Sequence, residues 1–259
     1  MGDLRITLCQ SDIIWEQAEA NCLHLDLLFD NLKKDETDLI ILPEMFLTGF
    51  SMNSKLLAEP ILGPGFQWMK KLAQMKNAAV TGSLIIEEDG KFYNRLLWVE
   101  PEKEMPEFYN KKHLFTLAGE QNHYNSGNQK LIVSYKDWKI SFFICYDLRF
   151  PVWSRNTEAV DLIIYVANFP ERREQAWNCL LPARAIENQC YVAGVNRVGL
   201  DENDIKYRGD SAVYNFEGSK ILDLEDREQW LTSTLDSQSL KAYKRAYPFL
   251  KDRDLFDFN

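Results

Sequence analysis

Three side chains stand out by type and by place. Glu44 follows the apolar run LIILP, Lys111 follows EFYN, and Cys145 ends FFIC. Each lies just past a short stretch that reads as a β-strand, and in α/β sheets sites form at the carboxyl ends of strands. Brought together, a thiol, a carboxylate and an ammonium would supply a nucleophile, a proton acceptor and a cation for the charge that develops on an attacked carbonyl. Taken singly, they have plainer readings. A glutamate after proline is commonly a cap or solvated, a lysine in NKKH is commonly at the surface, and a strand cysteine is commonly core. His113 and His123 leave a cysteine–histidine pairing open as well.

The elements that would carry these residues read as follows. Residues 4–9 alternate and predict a strand. Within 15–34, Ala18, Cys22, Leu25, Phe29 and Leu32 form one apolar stripe at helical spacing. Residues 39–42 are apolar at every position, the pattern of a strand covered on both faces, and Pro43 ends it. A helix over 64–76 turns Phe66, Met69 and Leu72 inward. Hairpins are predicted around Asp89-Gly90, Lys136-Asp137 and Glu217-Gly218. Residues 161–169 read as a second fully buried strand, 172–189 as a helix, CYVAGVN as a returning strand and 236–247 as a last helix. In the strand before it, Cys145 shares a face with Ser141 and Phe143 and takes the last position. Helices alternating with strands predict mixed sheets with helices on one face of each, the opposite faces packed together. No linker or repeat divides the chain, so residues 1–259 are expected to form a single domain.

Composition narrows the function. The net charge is −9, which argues against a nucleic-acid footprint and against a polybasic membrane contact. No apolar run approaches the ~18 residues of a membrane span. Five cysteines, an odd number with no CxxC pair, and an N-terminus without an apolar leader point to a reduced, cytoplasmic protein. Cys9, Cys22, Cys179 and Cys190 fall on apolar faces or element ends and are assigned to packing. Three histidines without HxH or HxxxH spacing argue against a histidine-built metal site.

The contexts of the three polar residues are more specific than the residues themselves. LPEMFLTGF, YNKKHLF and ICYDLRFP, with RAIENQ at 184–189 and YRGDS at 207–211, resemble the signature segments of the nitrilase superfamily, the carbon–nitrogen hydrolases. The resemblance covers nearly the whole chain. It implies Cys145 as nucleophile, Glu44 as general base and Lys111, rather than Lys112, as the cation. It further implies Glu120, seven residues before Gly127, as a second glutamate that positions the lysine or the substrate. The chemistry is consistent with that set. A thiol titrates near ~8.5 and only its thiolate attacks. A glutamate near ~4.3 becomes an adequate base when burial raises it. The ammonium and the N–H of Tyr146 would hold the oxyanion, while His113 would buttress Lys111.

Within the superfamily, LPEMFLTGF, CYDLRFPVWSRN, YVANFP and ARAIENQ look closest to bacterial omega-amidases. That branch implies a small-molecule amide substrate, 2-oxoglutaramate or 2-oxosuccinamate, cleaved to the 2-oxo diacid and ammonia. The substrate carboxylate would need a guanidinium, for which Arg173 is favoured over Arg172. Phe46 and Trp177 would wall the pocket, and Arg149 would be a structural ion-pair partner of Asp147 or Glu187. The same triad also serves carbamoylases and other small-amide hydrolases, and the fold can carry a non-catalytic binding protein. The resemblance implies a four-layer α/β/β/α sandwich that forms a homodimer or higher homo-oligomer across a helical face. It implies no metal and no organic cofactor.

Overall fold

Residues 39–42 show how the layers form. In the computed structural model, which describes residues 1–254 and 256, Leu39 and Ile41 point into a core between two sheets, whereas Ile40 and Leu42 point to a core beneath helices. A strand apolar at every position is thus covered on both faces. Residues 255 and 257–259 of the expected 1–259 span lie outside the described residues.

In chain order the strands are β1 (Leu4–Gln10), β2 (Leu39–Ile41), β3 (Ala79–Glu88), β4 (Lys91–Val99), β5 (Glu107–Asn110), β6 (Ile132–Tyr135) and β7 (Trp138–Ile144). They continue with β8 (Leu162–Ala167), β9 (Tyr191–Asn196), β10 (Val198–Leu200), β11 (Lys206–Arg208), β12 (Ala212–Tyr214), β13 (Lys220–Asp223) and β14 (Gln229–Leu235). The helices are α1 (Ala18–Leu28), α2 (Ser54–Leu57), α3 (Pro64–Lys76), α4 (Glu174–Asn188) and α5 (Ser237–Ala246). One six-stranded sheet runs β14-β1-β2-β3-β4-β5 and the other β13-β12-β9-β8-β7-β6. Each has three parallel central strands, β1-β2-β3 and β7-β8-β9, flanked by antiparallel ones.

The inner faces meet through aromatic side chains, Trp98 against Phe142 at 5.4 Å and Tyr109 against Phe143 at 5.9 Å between ring centres. Outside the first sheet, Leu25 and Phe29 of the α1 stripe and Phe66, Met69 and Leu72 of α3 close an apolar layer. Outside the second, Trp177, Leu181 and Ala185 of α4 and Leu240 of α5 do the same. The architecture is the expected α/β/β/α sandwich.

Several local signals resolve as read. Asp89 and Gly90 take φ of 52° and 73°, and Lys136 and Asp137 take 47° and 65°, the left-handed pairs that two-residue hairpins need. Pro64 opens α3 at its first turn, where its missing N–H costs nothing. The local pattern predicts no strand over 229–235, yet this segment is the half-exposed edge strand β14 pairing with β1. Its weak alternation reflects an edge position with little to bury. One difference bears on function. The strand before Cys145 ends at Ile144, and Cys145 itself starts a five-residue 3₁₀ turn at φ 45°. It therefore leaves the alternation of β7 rather than continuing the face of Ser141 and Phe143.

Topology gathers the three polar residues at one edge. β5 is antiparallel to β4, and β4 to β3, so β5 runs with β2 and their carboxyl ends share an edge. Glu44 follows β2 and Lys111 follows β5. Cys145 follows β7, and Asn168 follows the parallel strand β8.

Candidate active site

Glu44 is fully buried and its chain direction is set by the next residue, since Met45 takes φ 44°. The Met45 N–H donates to Ser83 Oγ at 2.8 Å, and that hydroxyl donates to Asn94 Oδ1 at 2.8 Å. Asn94 in turn donates through Nδ2 to Glu44 Oε1 at 2.7 Å. Lys111 Nζ donates to the same oxygen at 2.9 Å. Glu44 Oε2 accepts from the Asn168 N–H at 2.8 Å, while Asn168 Nδ2 donates to the Glu44 carbonyl at 2.5 Å. The carboxylate is thus held from both sheets by donors that fix its plane.

Lys111 is buried as well. Its ammonium also reaches Glu120 Oε1 and Oε2 at 3.0 and 3.1 Å and lies over the Phe50 ring at 4.9 Å. Burial works to lower this lysine, but the Glu120 and Glu44 carboxylates overcome it and leave it above the ordinary lysine range, so it stays an ammonium. Glu120 accepts the Phe115 N–H at 2.5 Å. Burial raises Glu120 above the usual carboxylate range, against the pull of Lys111. Gly127 packs against the strand end, where a Cβ would fall 2.3 Å from the Asn110 carbonyl oxygen, and its N–H donates to the Lys111 carbonyl. Only glycine fits that approach.

Cys145 sits on a sharp strand-to-helix turn, the kind of corner that lifts a nucleophile out of a sheet. A non-glycine residue in the left-handed region costs about 1–3 kcal/mol unless its surroundings hold it there. The residue is half-buried, but its thiol is desolvated. Burial pushes the thiol well above its ordinary range, Glu44 adds to that, and Lys111 opposes it. The Sγ faces the Asn168 carbonyl at 3.8 Å, the residue whose N–H holds Glu44.

A cavity opens over this cluster. Lys111, Cys145 and Tyr146 line it together with Arg149, Arg172 and Arg173. Aromatic walls come from Phe50, Phe115 and Phe169, and Tyr207 is brought in by the β10–β11 hairpin. Among the described residues no carboxylate lines it; Glu44 and Glu120 lie beneath the surface of the cavity.

Residues 5–245 match the family model of the carbon-nitrogen hydrolases. The chain belongs to the carbon-nitrogen hydrolase family. Omega-amidase YafV of Escherichia coli (strain K12) is 42% identical over 260 residues, covering 99% of each chain. The 2-oxoglutaramate amidase of Bacillus subtilis (strain 168) is 29% identical, covering 91% of this chain and 98% of its own. The crystal structure of XC1258 from Xanthomonas campestris, a CN-hydrolase superfamily protein with an arsenic adduct in its active site, superimposes with a TM-score of 0.97 at 40% identity, covering 100% of both chains. The protein is a hydrolase of amide carbon–nitrogen bonds. No helix of the described residues is long and apolar enough to cross a membrane.

In this carbon-nitrogen hydrolase, Glu44, Lys111, Glu120 and Cys145 come together, and Tyr146 and Arg173 face the same cavity. Other expectations need correction. Phe46 does not wall the pocket. Met45 reverses the chain there, and the Phe46 ring packs against Trp68 at 5.7 Å under α3. Phe50, four residues on, takes the wall position. Trp177 lies behind the pocket, 5.3 Å from Phe169, with Nε1 donating to the Asp210 carbonyl. Arg149 is not an ion-pair partner of Asp147 or Glu187. Asp147 is engaged by His113, Tyr109 and Ile144, and Glu187 by Arg184. Arg149 instead lines the cavity, 5.8 Å from the centre of the Phe169 ring. His113 does not touch Lys111; its Nδ1 meets Asp147 at 2.8 Å and its ring stacks on Phe150. Cys179 is exposed on α4 rather than packed, whereas Cys9 and Cys190 are core.

Ser83, Asn94 and Asn168 are not singled out by the motifs. Asn94 carries a signal nevertheless. An asparagine inside an otherwise apolar strand, FYNRLLWV, needs a buried partner, because strands disfavour it and burial without hydrogen bonds is costly.

Proposed function

We propose that this hydrolase removes the terminal amide of 2-oxo acid ω-amides, 2-oxoglutaramate and 2-oxosuccinamate, through a thioester on Cys145. The observation that carries the reading is the cavity itself. In a chain of net charge −9, the wall beside the thiol presents three arginines and, among the described residues, no carboxylate. Such a wall selects a small substrate with a carboxylate at one end and its amide at the other. Burial holds the Arg173 guanidinium below its ordinary range, an effect that an arriving carboxylate would relieve. The similarity to an omega-amidase and to a 2-oxoglutaramate amidase supports the same substrate class.

The hydrogen bonds around Glu44 suggest where protons move. A carboxylate offers about four acceptor sites. Oε1 takes Lys111 and Asn94, and Oε2 takes the Asn168 N–H, which leaves one site on Oε2. In this reading, that site receives the Cys145 proton as sulfur attacks the amide carbon. The carbonyl electron pair moves to oxygen and is stabilised by Lys111 and the Tyr146 N–H. Collapse breaks the C–N bond, and Glu44 returns the proton so that ammonia leaves. Glu44 then takes a proton from water as its oxygen attacks the thioester. The C–S bond breaks and Cys145 regains its proton. Glu120 keeps Lys111 charged and aimed throughout.

The test is ammonia release from 2-oxoglutaramate and 2-oxosuccinamate beside N-carbamoyl amino acids and nitriles. Turnover of the ω-amides with little of the others is expected. Turnover of carbamoyl compounds alone would overturn the substrate assignment and keep the thiol chemistry.

A further inference from the structure

Asp147 is fully buried and accepts four hydrogen bonds, two on each oxygen. Oδ2 takes the Ile144 N–H at 3.0 Å and the Tyr109 hydroxyl at 2.7 Å. Oδ1 takes the His113 N–H at 2.9 Å and faces its Nδ1 at 2.8 Å. The places of these donors in the chain are informative. Ile144 immediately precedes Cys145, and Asp147 follows it by two. Tyr109 and His113 stand two residues before and two residues after Lys111. One carboxylate therefore grips the turn that presents the thiol on one sheet and both flanks of the lysine on the other.

The grip is directional. The Tyr109 oxygen accepts from Trp153 Nε1 at 3.0 Å and from the Lys112 N–H at 3.2 Å, so its own proton is committed to Asp147. The Tyr109 donor is thereby fixed, the two backbone N–H groups can only donate, and an ionised Asp147 selects the His113 tautomer that carries its proton on Nδ1. A carboxylate is the only side chain of that size that accepts from all four. The left-handed backbone at Cys145 has its preceding N–H held by the same group.

We propose that Asp147 is a positioning residue for amide hydrolysis. It holds the Cys145 turn and the Lys111 strand end in register across the two sheets, so that thiol and ammonium meet one carbonyl. The proposal rests on the roles given above to Cys145 and Lys111. A displacement of about 1 Å between reacting groups can cost about 10²-fold in rate, whereas a purely structural residue would alter melting without altering the rate per folded molecule.

The experiment compares the wild type with Asp147→Asn, which keeps shape but turns one acceptor into a donor. For 2-oxoglutaramate, kcat is expected to fall about 10²-fold with KM changed only a few-fold. Alkylation of Cys145 by iodoacetamide should slow in parallel, a readout that needs no ω-amide. Two further variants address the arm on the lysine side. His113→Ala should lose activity, and His113→Asn, which retains an N–H near Nδ1, should recover most of it. Tyr109→Phe should lower kcat if Asp147→Asn fails to fold. A lowered melting temperature with unchanged kcat and unchanged alkylation would overturn the proposal, as would a His113→Asn variant no more active than His113→Ala. If the wild type is inert toward 2-oxoglutaramate, the substrate reading fails, and the alkylation rates still decide for or against Asp147.

Discussion

The turns that deliver Glu44 and Cys145 are built alike and used differently. Each leaves the carboxyl end of a parallel strand, and each contains a non-glycine residue near φ 45°, Met45 in one and Cys145 in the other. Each has a backbone N–H tied by a buried side chain, Met45 to Ser83 and Ile144 to Asp147. At the first turn the working residue precedes the left-handed one and is locked by Lys111, Asn94 and Asn168. At the second the working residue is itself the left-handed one, and it opens onto the cavity. In the mechanism proposed above, a proton acceptor must stay fixed while a nucleophile moves toward carbon; Glu44 is fastened by its side chain and Cys145 by its backbone, as those two roles would require.

The comparison is tested most severely by separating chemistry from strain at Cys145. Cys145→Ala and Cys145→Gly should both lose ammonia release by about 10⁶-fold, the scale seen when a covalent nucleophile is removed. They should differ in stability. Glycine accepts φ 45° without the Cβ clash that costs other residues about 1–2 kcal/mol, so the Gly variant should unfold later than the Ala variant by about 1 kcal/mol after its extra chain entropy is counted. Equal unfolding midpoints in urea would remove backbone strain from the account of this turn. Turnover in either variant close to the wild-type rate would remove the thioester.

A smaller effect is expected at the other turn. Asn94→Leu keeps volume in β4 but withdraws the donor to Glu44 and leaves the Ser83 hydroxyl without its acceptor. Loss of a hydrogen bond to a charged group is worth about 1.5–3 kcal/mol, so kcat should fall about 10- to 100-fold. In the proposed reading the cavity arginines, not Asn94, bind the substrate, so KM should stay near the wild-type value. A rise in KM with kcat intact would mean that Glu44 is held well enough by Lys111 and Asn168 alone.

How much of this is legible in the sequence follows from the range of each interaction. The strands at 39–42 and 161–169, the helix at 64–76 and the hairpins at Asp89-Gly90 and Lys136-Asp137 depend on local pattern and local φ, and they appear as read. Glu44, Lys111, Glu120 and Cys145 are found through the motifs around them. The pocket wall is not, because Phe46 and Phe50 are both aromatic and both close to Glu44, and only the reversal at Met45 decides between them. Ser83, Asn94, Asn168 and Tyr109 are ordinary polar residues in strands or at strand ends. Their roles exist only where strands and sheets meet, between positions 11 to 124 residues apart. Arg149 is misread for a related reason. Charge complementarity in sequence offers it Asp147, and Asp147 is already committed across the sheet interface.

The mildest prediction uses a third left-handed turn as the control. Gln189, at φ 47°, leads from α4 into Cys190, a fully buried thiol just before β9. Burial pushes this thiol from about 9 up to about 12, as desolvation raises Cys145, but among the described residues no carboxylate is hydrogen-bonded to it. Its folded value lies above its unfolded one, so its contribution to stability is complete below pH 9 and is lost as pH climbs from 9 toward 12. Over that window the loss is about 1.4 kcal/mol per pH unit for one thiol. Unfolding free energies at pH 8 to 11 should therefore decline, and Cys190→Ala, weaker at pH 8 through lost packing, should decline less steeply. Iodoacetamide at pH 8 should modify Cys145 and spare Cys190. An equal slope in both proteins would remove the raised Cys190 thiol from the pH dependence of stability. If Cys190 reacted as fast as Cys145, a left-handed turn beside a buried thiol would suffice for reactivity. The fastening of Glu44 would then not be what distinguishes the catalytic turn.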